Sequence, residues 1–85
     1  MQTLYSKTAL KFLAKLEKKQ RERIKSAIIG LTSKPPQGDI KPLQGYDEVY
    51  RLRVGSYRII YKYTVENKLD ILYIIDIGNR GDIYK

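Results

Sequence analysis

The first third of the chain has hydrophobic residues at helical spacing, with basic residues between them. Residues 1–5 suit a short strand, and Ser6 after them is typical of a helix N-cap. The apolar positions that follow recur every three or four residues: Ala9, Leu13, Leu16, Ile24, Ala27, Ile28 and Leu31. This run is long for one helix, so we expect a break near residues 17–20 that divides it into two antiparallel helices. Pro35 and Pro36 end the helical part, because proline cannot continue a helix.

The second half of the chain has the pattern of β-strands. Val49–Val54 and residues 57–63 alternate in polarity, and residues 69–77 are almost wholly apolar, as in the centre of a sheet. Gly55-Ser56 fits a two-residue hairpin turn in which glycine supplies a positive φ. Residues 35–48, rich in Pro, Gly and Asp, are predicted to be a connection. The order of elements predicts an α+β fold with two N-terminal antiparallel helices packed on an antiparallel β-sheet.

Composition narrows the class of protein. The chain has 85 residues, of which 42% are hydrophobic and 31% charged, and this predicts one soluble globular domain over residues 1–85. The chain has no cysteine, which excludes disulfides and thiolate metal sites and fits a reducing cytoplasm. It has no histidine, which removes the usual proton shuttle near neutral pH and most zinc sites. We find no apolar run of signal-peptide or membrane-spanning length and expect a cytoplasmic protein that does not contact a membrane.

The charge balance points to a partner. The chain has 17 Lys and Arg against 9 Asp and Glu, which gives a net charge of +8. Such an excess predicts attraction to a phosphate-rich molecule such as RNA. The alternative is that the positive charge serves only solubility.

The predicted hairpin collects part of this charge on one face. If the turn lies at the glycine, Arg53 lies directly opposite Arg58, and alternation along the strands puts Arg51 and Lys62 on the same side. We call these four residues the cationic face. Like charges directly opposite each other cost stability, and arginine binds a phosphate through two parallel hydrogen bonds, so the cluster favours an anionic ligand. The alternative is an ordinary solvated face. The other side would pack under the helices with Tyr50, Leu52, Val54, Tyr57, Ile59, Tyr61 and Tyr63.

The segment after the last predicted strand adds two candidate residues. Arg80 follows Gly78-Asn79 and would lie near the strand arginines. Tyr84 offers a ring for base stacking or a hydroxyl for proton transfer. The alternative for Tyr84 is a purely structural anchor.

Two segments together resemble a known family. They are Val-Tyr-Arg-Leu-Arg-Val-Gly-Ser-Tyr-Arg-Ile-Ile-Tyr at residues 49–61 and Ile-Gly-Asn-Arg-Gly-Asp-Ile-Tyr at residues 77–84. With the two helices and the Lys-Pro-Leu-Gln-Gly connection at residues 41–45, they are similar to the RelE/ParE superfamily of bacterial and archaeal toxins. The resemblance covers nearly the whole chain. It implies the RelE-like fold, which is similar to that of microbial RNases, and the toxin of a type II toxin–antitoxin module.

The resemblance also implies an activity. RelE-type members inhibit translation by cutting messenger RNA in the ribosomal A site, without a metal or cofactor. The ribose 2′-hydroxyl attacks the adjacent phosphate and leaves a cyclic phosphate and a 5′-hydroxyl. The implied partners are a cognate antitoxin protein, messenger RNA in the A site and ribosomal RNA.

The family's functional residues correspond to positions in this chain. Arg51 and Arg53 match the two basic strand positions, and Arg58 matches the phosphate-binding arginine. Arg80 matches the arginine after the last strand, and Tyr84 matches the tyrosine near the end of the chain. These five are the candidate catalytic residues. The candidate RNA-binding residues are Lys41, Lys62, Arg51 and Arg53.

The sequence departs from the best-known RelE toxins at the two strand positions, which are lysines there. Arginine stays protonated and is a poor general base, so the base would be Tyr84, Lys41, Glu48, an activated water or the ribosome, with Tyr84 favoured. The alternatives to an RNase are a ParE-type inhibitor of DNA gyrase and a non-catalytic basic domain that binds an antitoxin.

Overall fold

Two helices pack on one face of a five-stranded sheet in the computed structural model, which describes residues 1–79. The elements in chain order are β1 (Gln2–Tyr5), α1 (Lys7–Ala14), α2 (Lys18–Gly30), β2 (Asp39–Pro42), β3 (Val49–Val54), β4 (Tyr57–Glu66) and β5 (Leu69–Asn79). The strands lie side by side in the order β1-β5-β4-β3-β2. Neither helix in this part of the chain is long and apolar enough to cross a membrane.

The helical part follows the sequence prediction. Ser6 is the N-cap of α1, and its hydroxyl accepts a hydrogen bond from the backbone N–H of Ala9 at 3.0 Å. The predicted break is confirmed, because α1 ends at Ala14 and α2 begins at Lys18. The antiparallel arrangement of the two helices stays a prediction.

The α+β class is confirmed, but the sheet is mixed rather than antiparallel. The pairs β2–β3, β3–β4 and β4–β5 are antiparallel, whereas β1 runs parallel to β5. Parallel neighbours need a long crossover connection, and here both helices and three strands lie between β1 and β5 along the chain. Periodicity carries no information on strand direction, which is why the expectation of a wholly antiparallel sheet was wrong.

Strand β2 lies inside the segment that the sequence predicted to be a connection. Residues Asp39–Pro42 pair with β3 at the edge of the sheet. Pro42 is tolerated there because an edge strand leaves one row of backbone groups without a strand partner. The last turn, at Asn67-Lys68, has positive φ at both residues (49° and 66°), which is typical of a tight hairpin. Strand β4 therefore extends beyond its predicted end to Glu66, and β5 continues beyond its predicted end to Asn79.

The hydrophobic core lies between the helices and the sheet. The helices contribute Ala9, Leu13, Ile24 and Ile28, and Leu31 follows α2. The sheet contributes Leu52, Val54, Tyr57, Ile59, Tyr61, Leu72, Ile74 and Ile77. The predicted inner face of β3 and β4 is thus confirmed, with Tyr50 and Tyr63 partly buried against the same core. The opposite face of the sheet carries the charged residues.

Candidate functional site

The β3–β4 hairpin places the cationic face on the side of the sheet away from the helices. Arg53 pairs with Arg58, Arg51 with Ile60 and Val49 with Lys62, so the predicted register is confirmed. Gly55 begins the turn with φ of 60°, which glycine adopts without strain. The two-residue turn therefore brings two arginines directly opposite each other.

Arg53 and Arg58 retain unsatisfied donors. Both side chains are half-buried, and the Nε atom of each is buried with no hydrogen-bond partner. Arg53 Nε lies 3.9 Å from Asp39 Oδ2, which is an ion-pair distance too long for a hydrogen bond. An unsatisfied buried donor costs about 1–3 kcal/mol. Both side chains are only half-buried, so the solvent-exposed part of each arginine can bind an anion.

Arg51 differs from the other two strand arginines. It is only 6% exposed, and its Nη1 lies 3.6 Å from Asp39 Oδ1. The same nitrogen donates a long hydrogen bond of 3.5 Å to the backbone carbonyl oxygen of Asp39. Arg51 and Arg53 thus share one carboxylate. This arrangement suits Arg51 to holding Asp39 and Arg53 in place more than to contacting a ligand.

The two candidate RNA-binding lysines lie beside these arginines. Lys41 on β2 pairs with Arg51 and is exposed. Lys62 is also exposed, and its ammonium lies 5.8 Å from the centre of the Tyr73 ring, within range of a cation–π contact. Both lysines leave their charge accessible at the border of the arginine cluster.

Two carboxylates on this face were not identified as candidates from the sequence. Asp39 is one. The other is Asp76, which pairs with Ile60 across β4–β5, is half-buried and accepts a hydrogen bond from the N–H of Ile77 at 2.9 Å. Asp76 makes no ion pair with any residue of the 1–79 segment. The signal that points to it is an acid within the otherwise apolar run of residues 71–77.

The other candidate bases are distributed unequally. Lys41 lies on the same face of the sheet as the arginines. Glu48, which has a φ of 56°, lines a pocket of about 170 Å³ together with Tyr50 and Tyr63. These two tyrosines pack toward the helices, so Glu48 lies apart from the arginines. Arg80 and Tyr84 lie outside the described residues. Within residues 1–79 no group of three or more His, Cys, Asp or Glu side chains could hold a metal ion.

Tyrosines form a separate cluster on the helix side of the sheet. Tyr61 lies between Tyr50 and Tyr63, with ring centres 5.7 and 5.6 Å away, and the Tyr63 hydroxyl donates to the Leu31 carbonyl oxygen at 2.7 Å. Burial raises the pKa of Tyr61 and of Tyr63 above the ordinary value of 10.0. Neither hydroxyl is suited to accept a proton near neutral pH.

Comparison with known proteins relates this arrangement to a family. A family model described as the ParE toxin of the type II toxin–antitoxin system parDE matches residues 3–84. A candidate toxin named RelE1 from Methanocaldococcus jannaschii is 35% identical over 82 residues, which covers 93% of this chain and 89% of that protein.

Solved structures show the same fold. A chain of the RelB-RelE antitoxin–toxin complex from Methanococcus jannaschii has a TM-score of 0.68 at 33% identity, covering 95% of this chain and 94% of that one. A chain of the archaeal RelE-RelB complex from Pyrococcus horikoshii OT3 has a TM-score of 0.70 at 28% identity, covering 95% and 96% respectively.

Proposed function

This chain belongs to the RelE/ParE superfamily of toxins of type II toxin–antitoxin systems, and on that premise we propose that it is a ribosome-dependent endoribonuclease that cuts messenger RNA in the A site. The observation that carries the proposal is the Arg53–Arg58 pair, two cations opposed across the hairpin with buried donors left unsatisfied.

The arginine pair is costly unless it binds an anion. Like charges directly opposite each other across two strands are destabilising, and the unsatisfied Nε donors add to that cost. Asp39 lies within ion-pair distance of Arg53, but no such contact is made by Arg58 within residues 1–79. A phosphodiester bound to the solvent-exposed donors of the two guanidinium groups would balance the opposed positive charges.

The proposed reaction uses these cations at phosphorus. The ribose 2′-oxygen forms a bond to the adjacent phosphate as its proton passes to a base, and the bond to the 5′-oxygen breaks as that oxygen gains a proton. Arg53 and Arg58 stabilise the negative charge that grows on the phosphoryl oxygens, and loss of such a group costs on the order of 10²–10³ in rate. Arg51 acts through Asp39 as a positioning residue. Lys41 and Lys62 bind neighbouring phosphates, and the reaction needs no metal or cofactor.

The proton-transfer groups come from two candidates. Tyr84 is the first, and Arg80 is a further candidate cation. Asp76 is the second, because its carboxylate is on the same face of the sheet as Arg58 and is not engaged by a cation of the 1–79 segment. Carboxylates are common general bases in enzymes, whereas an unperturbed tyrosine is protonated near neutral pH.

We further propose that the protein acts in the cytoplasm, where its partners are the ribosome and a cognate antitoxin. The two RelB–RelE complexes named above support a protein antitoxin as a partner. The exposed lysines of α1, Lys7 and Lys11, would add contacts to ribosomal RNA that weaken with salt.

A second candidate function is inhibition of DNA gyrase. The family model is described for ParE toxins, and the resemblance assigns gyrase to ParE-type members. A domain that only binds its antitoxin is the third.

The deciding experiment is primer extension on a message that is being translated by purified ribosomes with the protein added. We expect cuts at A-site codons. Arg58→Ala should lower the cleavage rate by on the order of 10²–10³ and leave the protein folded, and Arg80→Ala should abolish cleavage. Lys25→Ala is the matched control, because it removes one positive charge from the exposed side of α2.

Absence of cuts together with gyrase inhibition would overturn the RNase proposal. Absence of both activities, with tight binding of the antitoxin, would leave the non-catalytic domain.

A further inference from the structure

A groove at the border of the cationic face lies between α2 and β3. Its volume is about 410 Å³, and its polar lining includes Arg23, Ser26, Gln37 and Arg53. No carboxylate lines it among the described residues. The groove therefore presents two cations with hydroxyl and amide groups, and no fixed negative charge.

Arg23 is held against the hairpin turn. A Cβ atom placed on Gly55 would lie 3.0 Å from Arg23 Nη2 and 3.1 Å from Nη1, so the guanidinium rests on the backbone of the turn. Glycine at this position thus serves both the positive φ and the close approach of Arg23. Arg23 is exposed and makes no ion pair within residues 1–79. Its donors are available to a ligand.

The groove opens where the edge strand stops. The ladder between β2 and β3 begins at the Asp39–Arg53 pair, so Val54 and Gly55 have no strand partner on that side. Arg53 belongs both to the groove and to the cationic face. The nearby carboxylate of Asp39 lies within ion-pair distance of Arg51 and Arg53 and does not line the groove.

We propose that Arg23 and Arg53 bind a phosphate of the RNA strand in this groove, next to the phosphate held by Arg53 and Arg58. The strand then passes from the cationic face around the open end of β2 onto α2. This inference rests on the proposed function and adds the path of the RNA beyond the site of cleavage. A guanidinium matches a phosphodiester by forming two parallel hydrogen bonds, and Ser26 and Gln37 supply further donors.

Binding of a short fluorescent single-stranded RNA, measured by anisotropy over a range of salt concentrations, tests the proposal. Arg23→Ala should weaken binding by about tenfold. It should also reduce the slope of log affinity against log salt by about 0.7, the value for one lost phosphate contact on a single strand. Lys25→Ala removes the same charge from the same helix without lining the groove, and we expect a change below about twofold. Equal thermal midpoints would show that both variants fold.

Three outcomes would overturn the proposal. Equal losses in the two variants would mean diffuse attraction to net charge, and no loss in either would mean an unoccupied groove. If Arg23→Ala weakens binding of a poly-glutamate peptide as much as it weakens binding of RNA, the ligand of the groove would be an acidic protein segment instead.

The binding assay also separates this inference from the cleavage reaction. A wild-type protein that binds RNA through Arg23 but makes no cuts on ribosomes would overturn the RNase proposal alone. A wild-type protein that cuts, with Arg23→Ala binding RNA as well as Lys25→Ala does, would overturn the groove alone.

Discussion

Asp39 organises the arginine cluster at the scale of single residues. Its carboxylate lies 3.6 Å from Arg51 and 3.9 Å from Arg53, while Arg58 lies across the hairpin. One acid thus balances two cations on a strongly basic chain. The buried Arg51 depends on this acid more than the half-buried Arg53 does.

Asp39→Ala should therefore destabilise the protein. Loss of a partner from a buried pair is costly, but the Asp39 side chain is 52% exposed and water screens the interaction, so we expect about 1 kcal/mol. Urea unfolding at neutral pH measures the change. Asp47→Ala, which removes the same charge from an exposed loop residue, should leave stability nearly unchanged. Equal effects of the two variants would show that only net charge matters.

The residue scale also shows what the sequence could predict. The Arg53–Arg58 pair followed from a two-residue turn and strand alternation, both of which are local. The burial of Arg51 could not be predicted in the same way. Its partner Asp39 lies on β2, and Gly38 and Pro42 make the sequence of this strand look like a loop. The position of Asp76 on the cationic face could not be predicted because β5 is irregular. Ile60 pairs with Asp76 but Tyr61 pairs with Ile74, so the alternation of side chains between the two faces shifts at Ile75.

At the scale of elements, Ser6 joins three of them. It lies between β1 and α1, its hydroxyl caps α1 at Ala9, and the same hydroxyl donates to the Ile75 carbonyl oxygen of β5 at 2.7 Å. One side chain thus connects the start of the first helix to the strand beside β1.

Ser6→Ala should cost about 1–2 kcal/mol, because it removes the cap and the contact to β5 together. For a domain of this size, each kcal/mol lowers the thermal midpoint by about 4–8 °C. A thermal melt followed by circular dichroism measures the shift. Ser26→Ala, at an exposed position inside α2, should have no effect or stabilise slightly, because alanine is the better helix former. A similar loss for both variants would contradict the assigned role of Ser6.

Some helices and strands could be predicted from the sequence more fully than others. The helices, β3 and β4 have strong periodicity and were found near their observed positions. Strand β1 was found as well, but its direction depends on a partner that lies far along the chain. Local patterns cannot encode that relation.

At the scale of the whole molecule, the tyrosine cluster ties α2 to the sheet. The Tyr63 hydroxyl bonds to Leu31 just after α2, and Tyr61 and Tyr50 stack beside it on β4 and β3. Burial also raises the pKa of Tyr5 on β1. The raised pKa values mean that ionisation of Tyr5, Tyr61 and Tyr63 is resisted in the folded state.

The protein should lose stability in alkaline solution. Below pH 10.0 these tyrosines are protonated in both states and their contribution is fully present. Above it the unfolded chain ionises first, so stability falls as the pH rises through the raised pKa of the folded state. Urea unfolding on either side of pH 10.0 measures this loss, and Tyr61→Phe should make it smaller. Tyr73→Phe, which removes a tyrosine hydroxyl outside the cluster, is the matched control. The same loss in wild type and in Tyr61→Phe would exclude Tyr61 as a source.

The pairing of β1 with β5 has a consequence for the order of folding. The contact of Ser6 with Ile75 joins residues 69 positions apart, whereas the β3–β4 and β4–β5 hairpins close over tight local turns. Closing a long loop costs more entropy and takes longer than closing a short one. During synthesis β1 is made before β5, and it cannot pair within the sheet until β5 is available. The hairpin that carries the arginines can therefore form before the edge of the sheet is complete, and β1 can join the sheet only when β5 has been made.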